Sequence, residues 1–186
     1  MGTDPDFELV DRIIAGEESF YATLVDRYKR YVFTIACRIL LNKDDAEEAA
    51  QDTFIRAYQN LRAFGRQAKF STWLYRIAVN TAITHRRKQR RREMRSIEGT
   101  EVPIHPDAEG RVELRDRKAF LTAAIARLNE HDRTALTLFY LKEFSLEEIG
   151  EIMNMQPNTV KVRIHRARLR VAEELKNILK EEALTL

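Results

Sequence analysis

Apolar side chains recur every three or four positions along most of this chain, the period of an amphipathic helix and not of a strand. Phe7, Val10, Ile13 and Ile14 mark a short first helix that breaks near Gly16. Phe20, Leu24, Tyr28, Tyr31, Phe33 and Ile35 carry the pattern into a longer one. Asn42 to Asp45 reads as a turn and cap ahead of AEEAAQDTFIRAYQNL, a good helix former. Gly65 to Lys69 is expected as a loop, with Ser71 or Thr72 opening a long helix through Trp73, Leu74, Ile77, Ala78 and Thr81. After Met94 the pattern stops. SIEGTEVPIHPDAEG holds two prolines and two glycines among few large apolar residues, the composition of a flexible linker. Helical spacing resumes near Val112 and runs through Phe120, Leu121, Ile125 and Leu128. Asn129 then reads as the N-cap of a further helix, with Glu130 and Asp132 near its positive end.

The stretch SLEEIGEIMNMQPNTVKVRIHRARLR, Ser145 to Arg170, is the most specific in the chain. Ser145 can cap a short helix whose apolar positions are Leu146, Ile149, Ile152 and Met153, while Gly150 is small enough to let another helix approach closely. Asn154 tolerates the left-handed backbone of a turn, and Pro157 can open the next helix. There Val160, Ile164, Ala167 and Val171 make one apolar stripe. Lys161, His165 and Arg168 flank it on one side and Arg163, Arg166 and Arg170 on the other, with Asn158 and Val162 opposite. A helix that packs along one stripe and offers phosphate contacts on both edges, with base-reading groups between, is the second helix of a helix-turn-helix.

The fold class expected is therefore all-α: two small helical domains, 1–94 and 113–186, joined by an acidic flexible linker over 95–112. The second is a four-helix domain built around the helix-turn-helix. Six glycines and four prolines in 186 residues are too few for a turn-rich β fold. A formal net charge of +3 says little, but its distribution says more. Residues 85–95 carry seven basic side chains against one acid, and residues 156–170 carry five with no acid, whereas 96–116 is acidic. Charge sorted this way offers patches that a nucleic acid can follow. The single cysteine, Cys37, lies in an apolar run and fits a buried thiol in a reducing cytoplasm. Neither a signal peptide nor a membrane span is visible, so a soluble, cytoplasmic protein without membrane insertion is expected.

Catalysis finds no support. The four histidines stand apart, and there is no HExxH, cysteine pair, Gly-rich phosphate loop or GxSxG. Asp44, Asp45, Glu47, Glu48 and Asp52 spread around an exposed helix side, which suits a protein partner better than a metal. No enzyme, cofactor or metal is expected. A different chemistry is offered by FSTWLYRIAVNTAITHRRK, Phe70 to Lys88. Beside a core face of Leu74, Ile77 and Thr81, one strip collects Trp73, Arg76, Asn80, Ile83 and Arg87, which can stack on bases and hydrogen-bond their edges. Phe70 fits either that strip or the core.

Taken together, these blocks resemble the extracytoplasmic-function sigma factors of the sigma-70 family, over nearly the whole chain and in the same order. DAEEAAQDTFIRAY resembles the helix that docks on the β′ coiled coil of RNA polymerase. FSTWLYRIAVNTA resembles the segment that melts and reads the −10 promoter element, and the helix-turn-helix resembles the −35 reader. The resemblance implies that Asp45, Glu48, Gln51, Asp52 and Phe54 contact core polymerase. It implies that Phe64, Lys69, Phe70, Trp73, Arg76, Asn80 and Arg87 handle −10 DNA. It places Asn158, Thr159, Lys161, Val162, Arg163, His165 and Arg166 on −35 DNA. The β flap and an anti-sigma factor are the further partners implied. Four departures stand out: Phe64-Gly65-Arg66 where the family often has Phe-Arg-Gly, Ala49 and Ala50 for larger residues, Asn129 for a proline, and Val162 for a small polar residue. From the residues alone, a helix-turn-helix repressor or activator and a basic RNA-binding adaptor are the alternatives.

Overall fold

The helical rows become two packed groups in a computed structural model, which describes the backbone of residues 4–96, 112–142 and 144–183. Side chains are described for residues 4–92, 119–141 and 144–180, so most of the expected linker lies outside the described residues. The first group contains α1 (Asp6–Ile14), α2 (Phe20–Leu40), α3 (Lys43–Gln59), a 3-10 turn at Leu61–Ala63, and α4 (Phe70–Ser96). The second contains α5 (Val112–Ala126), α6 (Glu130–Lys142), α7 (Leu146–Met153) and α8 (Pro157–Ala183). No strand occurs among the described residues.

In the first group α2, α3 and α4 pack on one another and α1 lies on α2. Leu24, Val32, Ile35 and Ile39 meet Leu74, Tyr75 and Val79 in its core. Helix α3 contributes mainly small residues, Ala46, Ala49, Thr53 and Ala57, all buried. The alanine at position 49 thus serves a close helix approach. Asn42 caps α3 as expected, its side-chain oxygen accepting from the Asp45 N–H at 3.0 Å. Helix α4 begins differently from the expectation. It starts at Phe70, and its cap comes from far away in sequence: the Phe70 N–H donates to Asp4 Oδ2 at 2.7 Å, while Asp4 Oδ1 accepts from Asp6 N at 3.1 Å. One carboxylate therefore serves the start of two helices. Asp6 itself is buried and accepts from Arg27 and from the Tyr28 hydroxyl.

The second group closes around Val160, Ile164, Ala167 and Val171, the stripe seen in the sequence, packed on Ala124, Leu138, Ile149 and Ile152. Ser145 and Glu148 form a reciprocal capping box at the start of α7. Asn154 ends α7 in the left-handed conformation at φ 53°. The neighbour that Gly150 admits is not another helix but the turn itself. A Cβ there would lie 2.6 Å from the Met155 carbonyl oxygen, and the Met155 N–H already donates to the Gly150 carbonyl at 2.8 Å. Hence Gly150→Ala is expected to cost about 1–3 kcal/mol through overpacking against rigid backbone. An unchanged thermal midpoint by circular dichroism would contradict this account of the turn.

The two groups touch through α2 with α6 and α4 with α7. Arg133 of α6 is 2% exposed. It donates to the Ile39 carbonyl of α2 at 2.7 Å and to the Ala126 and Leu128 carbonyls at the end of α5 at 2.9 and 3.4 Å. Burial pulls this guanidinium down to about 10, with Arg86 and Arg90 adding to the effect, so it stays charged at neutral pH. Tyr75 and Phe144 meet edge to face at 5.6 Å. Near the surface, Lys69 Nζ lies 2.7 Å from Glu148 Oε1. Burial pushes the Glu148 carboxyl up, but Lys69 and the Ser145 N–H outweigh it and hold the group below its ordinary value. A depressed carboxyl adds stability above its unfolded pKa, about 4.3 for glutamate, and loses it as pH falls through the folded value. Fluorescence transfer between α4 and α7 should therefore fall on acidification in the wild type. The same trace should be flatter in Glu148→Gln; identical traces would remove the ion pair from the account.

Candidate nucleic-acid and polymerase interface

Helix α8 carries its candidate residues on two kinds of surface. Asn158, Thr159, Lys161, Val162, His165 and Arg166 are exposed, Val162 at 48%. Asn158, Thr159, Val162 and Arg166 border an open groove of about 420 Å³ beside the start of α6. Arg163 does not share that exposure. Its Nη1 donates to Asp132 Oδ1 at 2.7 Å, and its Nε is buried. Arg168 also points away, over the Phe139 and Tyr140 rings at 5.2 and 5.3 Å.

The α4 strip is built on an aromatic cluster. Phe64 and Phe70 are 7% and 1% exposed. Trp73 is half-buried and rests on both, with ring centroids 5.1 and 5.6 Å away. Phe64 and Phe70, named with Trp73 for −10 DNA, have their rings inside the bundle, where they set the position of Trp73. Arg76, Asn80 and Arg87 are exposed along the same helix. Trp73 and Asn80 line a groove of about 490 Å³ whose far wall is Arg56, Asn60 and Ala63. Arg56 and Asn60 sit at the end of α3, and nothing in their local sequence ties them to a strip on α4. Lys69 is engaged by Glu148, which brings α7 over the loop that precedes α4. In that loop Arg66 holds the left-handed conformation at φ 54° and pairs with Asp11. The glycine comes one position early, at Gly65, so an arginine occupies the backbone state that glycine would adopt without strain.

On α3, Glu48 and Gln51 are exposed while Asp45, Asp52 and Phe54 are half-buried. Asp52 Oδ2 lies 2.9 Å from His85 Nε2 of α4, which ties the acidic face to the basic helix. Beside this face is an apolar groove of about 590 Å³ lined by Tyr21, Val25, Phe54, Ile55 and Tyr58, rimmed by Glu18 and Asp26. Ile55 is 55% exposed, an apolar side chain off the core stripe, and that mismatch was the available signal for it. The Tyr21 hydroxyl donates to the Phe54 carbonyl at 2.5 Å, and desolvation raises its pKa. A second apolar groove, about 480 Å³, lies on the other half between Leu121, Ile125, Tyr140, Leu141 and Leu175, with Arg38 of α2 at its edge.

Two helical bundles, one with an aromatic and basic strip and one with a helix-turn-helix, define a bipartite DNA-binding transcription protein. The sigma-70 region 2 family matches residues 24–92, and sigma-70 region 4 matches residues 118–171. The ECF RNA polymerase sigma factor SigW of Bacillus subtilis is 36% identical over 179 residues, 91% of this chain and 96% of that protein. The RNA polymerase sigma-H factor of Pseudomonas aeruginosa is 34% identical, over 96% and 97% of the two chains. Among solved structures, the sigma factor RpoE in complex with the anti-sigma factor NepR from Bartonella quintana superposes with a TM-score of 0.68 at 27% identity. That match covers 84% of this chain and 96% of RpoE. The chain belongs to the sigma-70 family, in its extracytoplasmic-function group, and is a sigma factor that directs RNA polymerase to promoters for transcription initiation.

The aromatic cluster separates two roles that look alike in sequence. Phe70→Ala should cost about 3–5 kcal/mol of stability, as expected for a buried ring. Trp73→Ala should change stability far less and weaken single-stranded DNA binding by about 1–3 kcal/mol. Chemical denaturation and DNA titration of both variants check the assignment; equal stability losses would overturn it.

Proposed function

We propose that the chain divides promoter recognition between its two halves. Helix α8 lies in the major groove of the −35 element, with Val162 toward a thymine methyl and Arg166 and Lys161 on phosphates or base edges. The α4 strip takes the −10 non-template strand after melting. Trp73 stacks on a base, Arg76, Asn80 and Arg87 hold edges and backbone, and the Trp73–Asn80 groove receives an unstacked base. Unstacking costs a few kcal/mol, which stacking and a fitted groove offset. The protein acts by binding alone, without a cofactor, in the cytoplasm.

On the polymerase side, Glu48 and Gln51 with Asp45 and Asp52 orient α3 on the β′ coiled coil, and the neighbouring Ile55–Tyr58 groove supplies apolar burial. The Leu121–Tyr140 groove takes the β flap. An anti-sigma factor competes for these surfaces, by analogy with the RpoE–NepR complex. The observation that supports the reading is that each half of one chain exposes amide and guanidinium groups along a single helix, Arg76, Asn80 and Arg87 on α4 and Asn158 and Arg166 on α8.

Run-off transcription with cognate core polymerase on a promoter library should give promoter-dependent transcripts. Arg166→Ala should weaken −35 binding by about 1–3 kcal/mol while sparing the polymerase complex. Glu48→Lys should do the reverse, measured by gel filtration with core polymerase. Absence of any promoter-dependent transcript, or an exchange of those two phenotypes, would refute the proposal.

A further inference from the structure

Asp132 stands in the first turn of α6, and its side chain is only 5% exposed. Three donors converge on its carboxylate. Asn129 Nδ2 reaches Oδ2 at 2.7 Å, Arg163 Nη1 reaches Oδ1 at 2.7 Å, and Arg170 Nη1 reaches Oδ2 at 2.5 Å. Arg163 and Arg170 are seven residues apart, two turns of α8, and so share one edge of that helix. The carboxylate therefore spans that edge and ties it to α6. This clamp forms a wall of the groove that fronts Asn158, Val162 and Arg166.

Two of the five basic side chains between residues 156 and 170 are thus paired with a buried carboxylate of their own chain. Arg163 is the more deeply held, 27% exposed against 52% for Arg170. Taking either guanidinium away would leave a buried carboxylate short of a partner, so the pairs resist exchange for a solvated phosphate. We propose that Asp132 is a positioning and specificity residue for DNA recognition. It withdraws Arg163 and Arg170 from the phosphate backbone and fixes the seating of α8 on α6. Arg166 remains as the cation beside the base-reading strip on that edge. Phosphate contacts supply non-specific affinity, so removing two of them raises sequence discrimination at the expense of raw binding. This inference rests on the reading of α8 as the −35 helix.

The test uses the full chain and a pool of short duplexes with randomised centres. Binding is followed by anisotropy over a range of salt, and the bound fraction is sequenced. Wild-type protein is expected to enrich a motif. Asp132→Ala frees both guanidiniums, so its salt dependence should steepen by up to ~1.8 in slope, at about 0.9 per phosphate, while motif enrichment falls. Loss of a merely structural residue would weaken binding and leave the slope flat or shallower. The triple variant Asp132→Ala, Arg163→Gln, Arg170→Gln should return the slope to the wild-type value. Should Asp132→Ala not fold, Asp132→Asn keeps the shape of the side chain, and its slope should rise by a smaller amount. A wild type that enriches a motif beside variants with an unchanged slope overturns the clamp alone. A wild type that enriches nothing overturns the −35 reading and the clamp with it.

Discussion

Arg133 is the point at which the two halves of this molecule become one body. Its guanidinium collects carbonyls from the ends of α2 and α5, groups that helix geometry leaves without partners. A positive charge there also suits the negative ends of both dipoles. Because the group is almost fully buried, those acceptors are what make the burial of its charge tolerable. Around it α6 seats on α2 and α7 on α4, which places the helix-turn-helix over the loop that leads into α4.

The strip itself depends on aromatic packing. Phe64, Phe70, Tyr28 and Tyr75 form a continuous cluster, and Trp73 lies at its edge with one side on protein and the other toward a groove. A large ring held on one face keeps little rotamer freedom, so less entropy is lost when a base stacks on the other. Asp4 reinforces the arrangement by capping α4 from 66 residues away in the sequence. Pre-ordering by buried neighbours, more than the count of exposed aromatics, is what fixes how this ring is presented at the surface.

Much of this was legible beforehand. The helices, the Asn42 and Ser145 caps, the turn at Asn154 and the α8 stripe all follow from local rules, because capping and amphipathic spacing act within a few residues. Most of the exposed face of α8 was also legible, since the residue opposite a strong apolar stripe must face away from it. Arg163 was harder. Its position on the helix is the same whether it reaches a phosphate or an internal carboxylate, and Asp132 lies 31 residues away. Phe64 and Phe70 carried a similar ambiguity, for an aromatic beside a basic helix fits a core and a stacking surface equally well. Arg56 and Asn60 lay outside reach because each gains its meaning from a groove shared with another element.

The sequence by itself determined the helical class, the division into two patterned blocks, the helix-turn-helix and the family. All of these rest on periodicity, capping and motif order, which are properties of neighbouring residues. The tertiary structure alone decided which basic and aromatic side chains remain available. Each of those outcomes depends on a partner distant in the chain: Asp132 for Arg163, Glu148 for Lys69, Phe64 for Trp73, and the Ile39 carbonyl for Arg133. A side chain's chemistry is written locally, but whether it is spent inside the protein or offered to DNA is settled only by what packs against it.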